Sequence, residues 1–87
     1  MIEFTSSADK HGIGHDDALY AMGNARWTRD PYDAGREGRQ PPILFIGPSR
    51  AGVMLEVLAE RMPPRGLRVF HVMVLRPKTA ELAGYYL

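Results

Sequence analysis

The stretch Val69-Phe-His-Val-Met-Val-Leu-Arg-Pro-Lys78 decides how this chain is read. Six of its first seven residues are β-branched, aromatic or otherwise apolar, with His71 the exception, which marks a strand. Pro77 has no N–H to give to a sheet ladder and ends that strand. Arg76 and Lys78 flank the proline, so the strand delivers fixed positive charge to its own end, a chemistry suited to a phosphate group.

Working outward, two more strands precede it. Ile43 to Ile46 is a continuous apolar run, and Gly47-Pro48-Ser49-Arg50-Ala51-Gly52 is a turn. Val53 to Glu60 alternates, with Val53, Leu55, Val57 and Ala59 on one face, so the pair reads as a hairpin. Met62-Pro63-Pro64-Arg65-Gly66 makes the next turn, and Leu67 to Leu75 is the third strand. Downstream, Thr79 offers an N-cap for a short helix through Ala83, stopped by Gly84 before Tyr85.

Upstream, Met1 to Phe4 reads as a short edge strand. Thr5, Ser6 and Ser7 offer hydroxyls to cap a brief helical turn that Gly12 stops. A second helix runs from Gly14 to Arg26. Asp16 and Asp17 sit in its first turn, Ala18, Ala21, Met22 and Ala25 form one apolar face, and fraying is expected near Gly23. Trp27 to Pro42 reads as a linker loop, punctuated by Asp30-Pro31, Asp33, Gly35, Gly38 and Pro41-Pro42, with Trp27 as the apolar plug at the end of the second helix. The expected fold is a single α+β domain over residues 1–87: N-terminal helices, then a three-stranded antiparallel meander, then a short C-terminal helix, with the helices on one face of the sheet.

Composition narrows the chemistry. A chain of 87 residues buries roughly 60 to 65 per cent of its unfolded surface, so a partner chain would help to stabilise it. The absence of cysteine excludes a disulfide framework and a thiolate metal site, and is consistent with a cytoplasmic protein. His11, His15 and His71 are too few and too scattered for a zinc site. Gly12 and Gly14 break any helix that would put His11 and His15 on one face, so neither a metal nor another cofactor is expected. No basic segment followed by an apolar run suggests a signal peptide, and no apolar stretch approaches the roughly 18 residues of a membrane span. Residues 1–44 carry five Lys/Arg and seven Asp/Glu, whereas residues 45–87 carry six and three. The half that reads as sheet is therefore the basic half, open to nucleic acid or a carboxylate-rich protein segment.

The chain resembles the BrnT family of type II toxins, itself similar to the RelE-like ribonucleases. The resemblance is carried by Lys10-His11-Gly12-Ile13 with Asp17-Ala18, by Asp30-Pro31, by Gly38-Arg39, by Ile46-Gly47 and Gly52-Val53-Met54-Leu55-Glu56-Val57, and by His71-x-Met73-x-x-Arg76-Pro77-Lys78. It departs from the family in a shorter first helix, a less basic balance, and a spacing from Arg76 to Glu81 and Tyr85 that is one residue short. The resemblance implies a metal-independent endoribonuclease that inhibits translation by cleaving RNA, free or on the ribosome. It also implies a cognate antitoxin, typically a dimeric ribbon-helix-helix protein, through which alone the complex would meet operator DNA.

Such cleavage needs a base for the 2′-hydroxyl, a cation for the extra negative charge, and help for the leaving 5′-oxygen. Arg76 is the residue expected to meet the phosphate charge; its alternative is an ion pair with Glu81 at a helix start. His71 is a candidate acid or base. It lies five positions from Arg76, so a regular strand puts the two on opposite faces unless Pro77 bends the chain. Glu56 reads as a solvent-side carboxylate, or else as a base or an orienter of His71. Lys78 and Arg50 are candidate RNA contacts, with plain solvation as the alternative. Tyr85 either stacks on a base or packs on the sheet to anchor the terminus. The rival reading of the whole chain is a non-catalytic interaction module, or a degenerate toxin kept as a regulatory partner.

Overall fold

The computed structural model describes residues 1–32 and 41–85. In chain order they form β1 (Ile2–Phe4), a single 3-10 turn (Ser6–Asp9), α1 (His15–Gly23), β2 (Trp27–Arg29), β3 (Ile43–Pro48), β4 (Met54–Met62), β5 (Gly66–Val74) and α2 (Pro77–Ala83).

The strands make one five-stranded mixed sheet in the order β1-β5-β4-β3-β2. This corrects the expected architecture of N-terminal helices followed by a three-stranded meander. The antiparallel meander β3-β4-β5 is present, but as the centre of a wider sheet. β1 joins it parallel to β5, pairing Ile2 with Leu67 and Phe4 with Val69. β2 joins antiparallel to β3, pairing Trp27 with Ile46 and Arg29 with Leu44. A lone meander would leave rows of unpaired backbone N–H and C=O groups at both margins, and these three-residue strands satisfy part of each. The expected linker therefore begins with a strand. Its residues 33–40, with Asp33, Gly35, Gly38 and Arg39, lie outside the described residues, as do Tyr86 and Leu87.

The helices lie on both faces of the sheet rather than on one. On one face, Ala18 and Ala21 of α1 and Ala8 of the 3-10 turn pack on Leu55, Val57, Ala59, Val69 and Val72. Val53, expected in that row, is exposed and precedes the strand. On the other face, Ala83 of α2 packs with Leu44, Ile46, Met54, Leu58, Leu75 and Tyr85. The small residues of α1 bring it close to β3: a Cβ on Gly47 would meet the Ala21 carbonyl oxygen at 2.2 Å. The helix ends at Gly23, short of the expected Arg26, because Asn24 caps the Tyr20 carbonyl with its backbone and side-chain N–H groups, both at 2.9 Å.

Two irregularities position the residues of interest. β5 carries one extra residue, Phe70: Leu58 pairs with His71 while Ala59 pairs with Val69. Val69 and Val72, three apart, thus both reach the α1 face. Beyond Val74 the chain leaves the sheet. Arg76, extended at φ −94° and ψ 145°, is the N-cap of α2, and Pro77 occupies the start of the helix, where its missing N–H costs nothing. The cap expected at Thr79 therefore falls three residues earlier. The helix ends as the sequence suggests, at Gly84, whose φ of +76° is the left-handed conformation glycine adopts freely.

Candidate functional site

Glu56 lies in the middle of β4, opposite Met73 of β5. Alternation along β4 gives Met54, Glu56 and Leu58 to the α2 face, and alternation along β5 gives His71 and Met73 to the same face. The carboxylate read as a solvent-side residue is fully buried there, because α2 folds over it. Both of its oxygens are saturated. His71 Nε2 is 2.8 Å from Oε2. Arg76 donates its backbone N–H and Nε to Oε1 at 2.9 and 3.2 Å, and NH2 to Oε2 at 2.8 Å. Thr79, buried on the first turn of α2, adds a side-chain hydrogen bond.

The turn at Pro77 thus swings Arg76 round to the His71 face. Glu56, His71 and Arg76, singled out separately in the sequence, form one cluster. Arg76 pairs with Glu56, not with Glu81 as its plainer sequence reading had it. Its guanidinium uses Nε and NH2 for that pair, and its side chain is 51 % exposed, within reach of an anion.

Burial by itself would push the Glu56 carboxyl pKa up. The hydrogen bonds from His71, from the Arg76 side chain and backbone, and from Thr79 outweigh that and hold it down at about 2. Glu56 is therefore an anion at all ordinary pH values, unsuited to serve as a general base near neutrality. Its chemistry is to orient His71 and to hold Arg76. The same pair, foremost through the Glu56 hydrogen bond, raises the Arg76 pKa, and Tyr32 also favours the charged guanidinium.

This depression has a consequence for stability. A pKa of 4.5 lowered to about 2 contributes stability that is fully present above about pH 4.5 and lost as pH falls toward 2, worth about 3 kcal/mol. Glu56→Gln should remove that component. Urea unfolding between pH 5 and pH 2 should show a shallower loss for the variant than for the wild type, and parallel curves would contradict the assignment.

The remaining candidates go elsewhere. Arg50 is bound to α1: its backbone N–H and Nε both donate to Asp17 Oδ1, at 2.9 and 3.0 Å, which lowers the Asp17 pKa. It joins the β3–β4 turn to the α1 face, opposite the Glu56 cluster. Tyr85 packs on Leu44, Ile46 and Ala83, with its ring 6.0 Å from that of Trp27. Trp27 does not plug the end of α1; it stands in β2 and donates Nε1–H to the Ala83 carbonyl at 2.9 Å, anchoring α2. Lys78 is exposed on the first turn of α2, two residues from Arg76.

Three contributors went unread as site residues. Thr79 carried a helix-cap signal that hid its bond to Glu56. Tyr32 follows Asp30-Pro31 in what reads as linker and gives no local signal. His11 stands edge-on to His71, with ring centroids 5.7 Å apart and planes at 77°. His15 is separate from it, hydrogen-bonded to Asp9 at 2.6 Å and stacked on Phe4 at 3.9 Å. Among the described residues no three His, Asp or Glu side chains converge as a metal site. A cleft of about 550 Å³ at the β4–β5 turn, lined by Met1, Arg61, Pro63, Pro64 and Arg65 among others, holds none of the cluster residues. No helix among the described residues is long and apolar enough to cross a membrane. No family model, curated protein or solved structure matches the chain.

Proposed function

We propose that the Glu56–His71–Arg76 cluster is the active site of a metal-independent endoribonuclease, acting as the toxin of a type II toxin–antitoxin pair in the cytoplasm. The observation that carries this reading is the buried Glu56 carboxylate, which holds a histidine on one side and a half-exposed arginine on the other. In the reaction the RNA 2′-oxygen attacks the adjacent phosphorus while His71 takes its proton. Arg76 meets the charge that grows on the non-bridging phosphate oxygens. Glu56 keeps the imidazole oriented through the hydrogen bond to its Nε2, as a buried carboxylate does for a catalytic histidine. Lys78 adds a second positive charge beside Arg76.

The partner on this reading is an antitoxin of the ribbon-helix-helix type, with an acidic segment laid over Arg76 and Lys78. Arg50, bound by Asp17, falls outside that cover. Operator DNA is met through the antitoxin.

Incubation of antitoxin-free protein with RNA and with translating ribosomes, in the presence of a chelator, tests the proposal. The expected products end in a 2′,3′-cyclic phosphate and a 5′-hydroxyl, and His71→Ala should lower the rate by about 10²–10⁴-fold. RNA that stays intact over long incubation in both settings would discard the enzyme. The same cluster would then be read as a structural ion-pair lock in an interaction module, a reading favoured by the full hydrogen-bond satisfaction of buried side chains among the described residues.

A further inference from the structure

We infer that His11 is the general acid of this site, the group that protonates the leaving 5′-oxygen. The inference rests on the ribonuclease reading and adds to it the residue that the cleavage step lacks. In-line displacement puts the attacking and departing oxygens on opposite sides of phosphorus, so one imidazole beside one arginine leaves the departing side unserved.

The fold brings a second imidazole against His71 from sixty residues away. The 3-10 turn is pinned to β5 by Thr5 N–H to the Val69 carbonyl at 2.9 Å and by the Ser7 hydroxyl to the Phe70 carbonyl at 2.8 Å. Phe70 is the bulged residue, whose register irregularity is thus tied to the segment carrying His11. Gly12, at φ +73°, closes the turn with its N–H 3.1 Å from the Asp9 carbonyl, and His11 comes to rest edge-on against His71. The groups run Arg76, Glu56, His71, His11, from a half-exposed cation to an exposed imidazole.

The Glu56 contact sets which nitrogen of His71 can take a proton. Ionised Glu56 can accept but not donate, so the proton of neutral His71 sits on Nε2 and its lone pair on Nδ1. His11 is exposed and stands edge-on to His71, so its ring is open to the departing oxygen. In the step, the bond from the 2′-oxygen to phosphorus forms and its proton goes to His71 Nδ1. The bond from phosphorus to the 5′-oxygen breaks and His11 supplies the proton to that oxygen. The products are a 2′,3′-cyclic phosphate and a 5′-hydroxyl. Exchange with water then returns a proton to His11 and removes one from His71.

The test compares two RNAs of one sequence, differing by a sulfur in place of the bridging 5′-oxygen at the cleaved bond. A thiolate departs without protonation. His11→Gln should slow cleavage of the all-oxygen RNA by about 10²-fold or more yet stay within about threefold of wild type on the sulfur RNA, whereas His71→Ala should lose rate on both. His11 is exposed, so the variant should fold, and an unchanged melting temperature checks this. Equal loss on both RNAs would make His11 a structural contact and overturn the inference, as would an unchanged rate on the all-oxygen RNA. If the wild type cleaves neither RNA, the ribonuclease reading itself fails, a result visible before any variant is made.

Discussion

Arg76→Ala is expected to lose both stability and cleavage, by separable routes. The substitution removes the Nε and NH2 hydrogen bonds from a fully buried carboxylate but leaves the backbone N–H in place. Charge-assisted bonds of this kind, and the burden of an under-compensated buried charge, put the cost at about 3 kcal/mol. On the proposed mechanism the loss of the cation facing the phosphate lowers the cleavage rate by about 10²–10³-fold. The two effects must be parted, because a protein that unfolds is also inactive. The double variant Arg76→Ala with Glu56→Gln provides the means. A neutral amide in place of the carboxylate no longer needs the guanidinium, so much of the lost stability should return. Activity should not return. Urea unfolding and RNA cleavage of the two single variants and the double variant measure both quantities. A double variant that is stable and as active as wild type would remove Arg76 from the chemistry. Strictly additive stability losses would mean that the Glu56–Arg76 pair is not what fails in the single variant.

Gly47→Ala is expected to be the most damaging methyl group that can be added to the α1–β3 contact. The added Cβ would lie 2.2 Å from the Ala21 carbonyl oxygen and 3.1 Å from the Ala25 Cα, both backbone atoms that no rotamer change can move. α1 must lift from the sheet, taking Ala18 and Ala21 out of contact with Val57 and its neighbours. Overpacking against backbone costs about 3 kcal/mol or more, and for a domain of this size that lowers the melting temperature by roughly 10–20 °C. The end of α1 provides the contrast: a Cβ on Gly23 meets nothing within 4 Å. Differential scanning calorimetry of the Gly47 variant decides the matter, and a melting temperature within a degree or two of wild type would show that α1 does not sit as close as described.

The central strands were legible in the sequence because each is an uninterrupted or alternating apolar run bounded by glycine and proline. Ile43–Pro48, Met54–Met62 and Gly66–Val74 fall within two residues of the limits those signals suggest. The helix stop at Gly84 was legible for the same reason: its backbone conformation excludes most other residues. β2 was not. Trp27–Arg29 is three residues long, too short for any period, and is exposed throughout, so its identity comes wholly from the β3 edge it meets. Nor was the parallel pairing of β1 with β5, which joins residues some 65 positions apart in the chain.

The site divides along the same line. Chemistry alone named Arg76, His71 and Glu56, because a strand ending in Arg-Pro-Lys, a lone histidine and a carboxylate amid apolar residues each break a pattern. Alternation also told that His71 and Glu56 stand on the faces opposite Val72 and Val57. What alternation cannot tell is which face of a sheet will be covered. Glu56 became a buried, fully bonded anion, not a solvated one, because the Pro77 turn lays α2 across that face and turns Arg76 back onto it. Side-chain type and strand parity are local properties, written residue by residue. Burial, the pKa of about 2, the engagement of Arg50 with Asp17 and the approach of His11 to His71 are sums over groups distant in the chain, and only the assembled fold brings those groups within reach of one another.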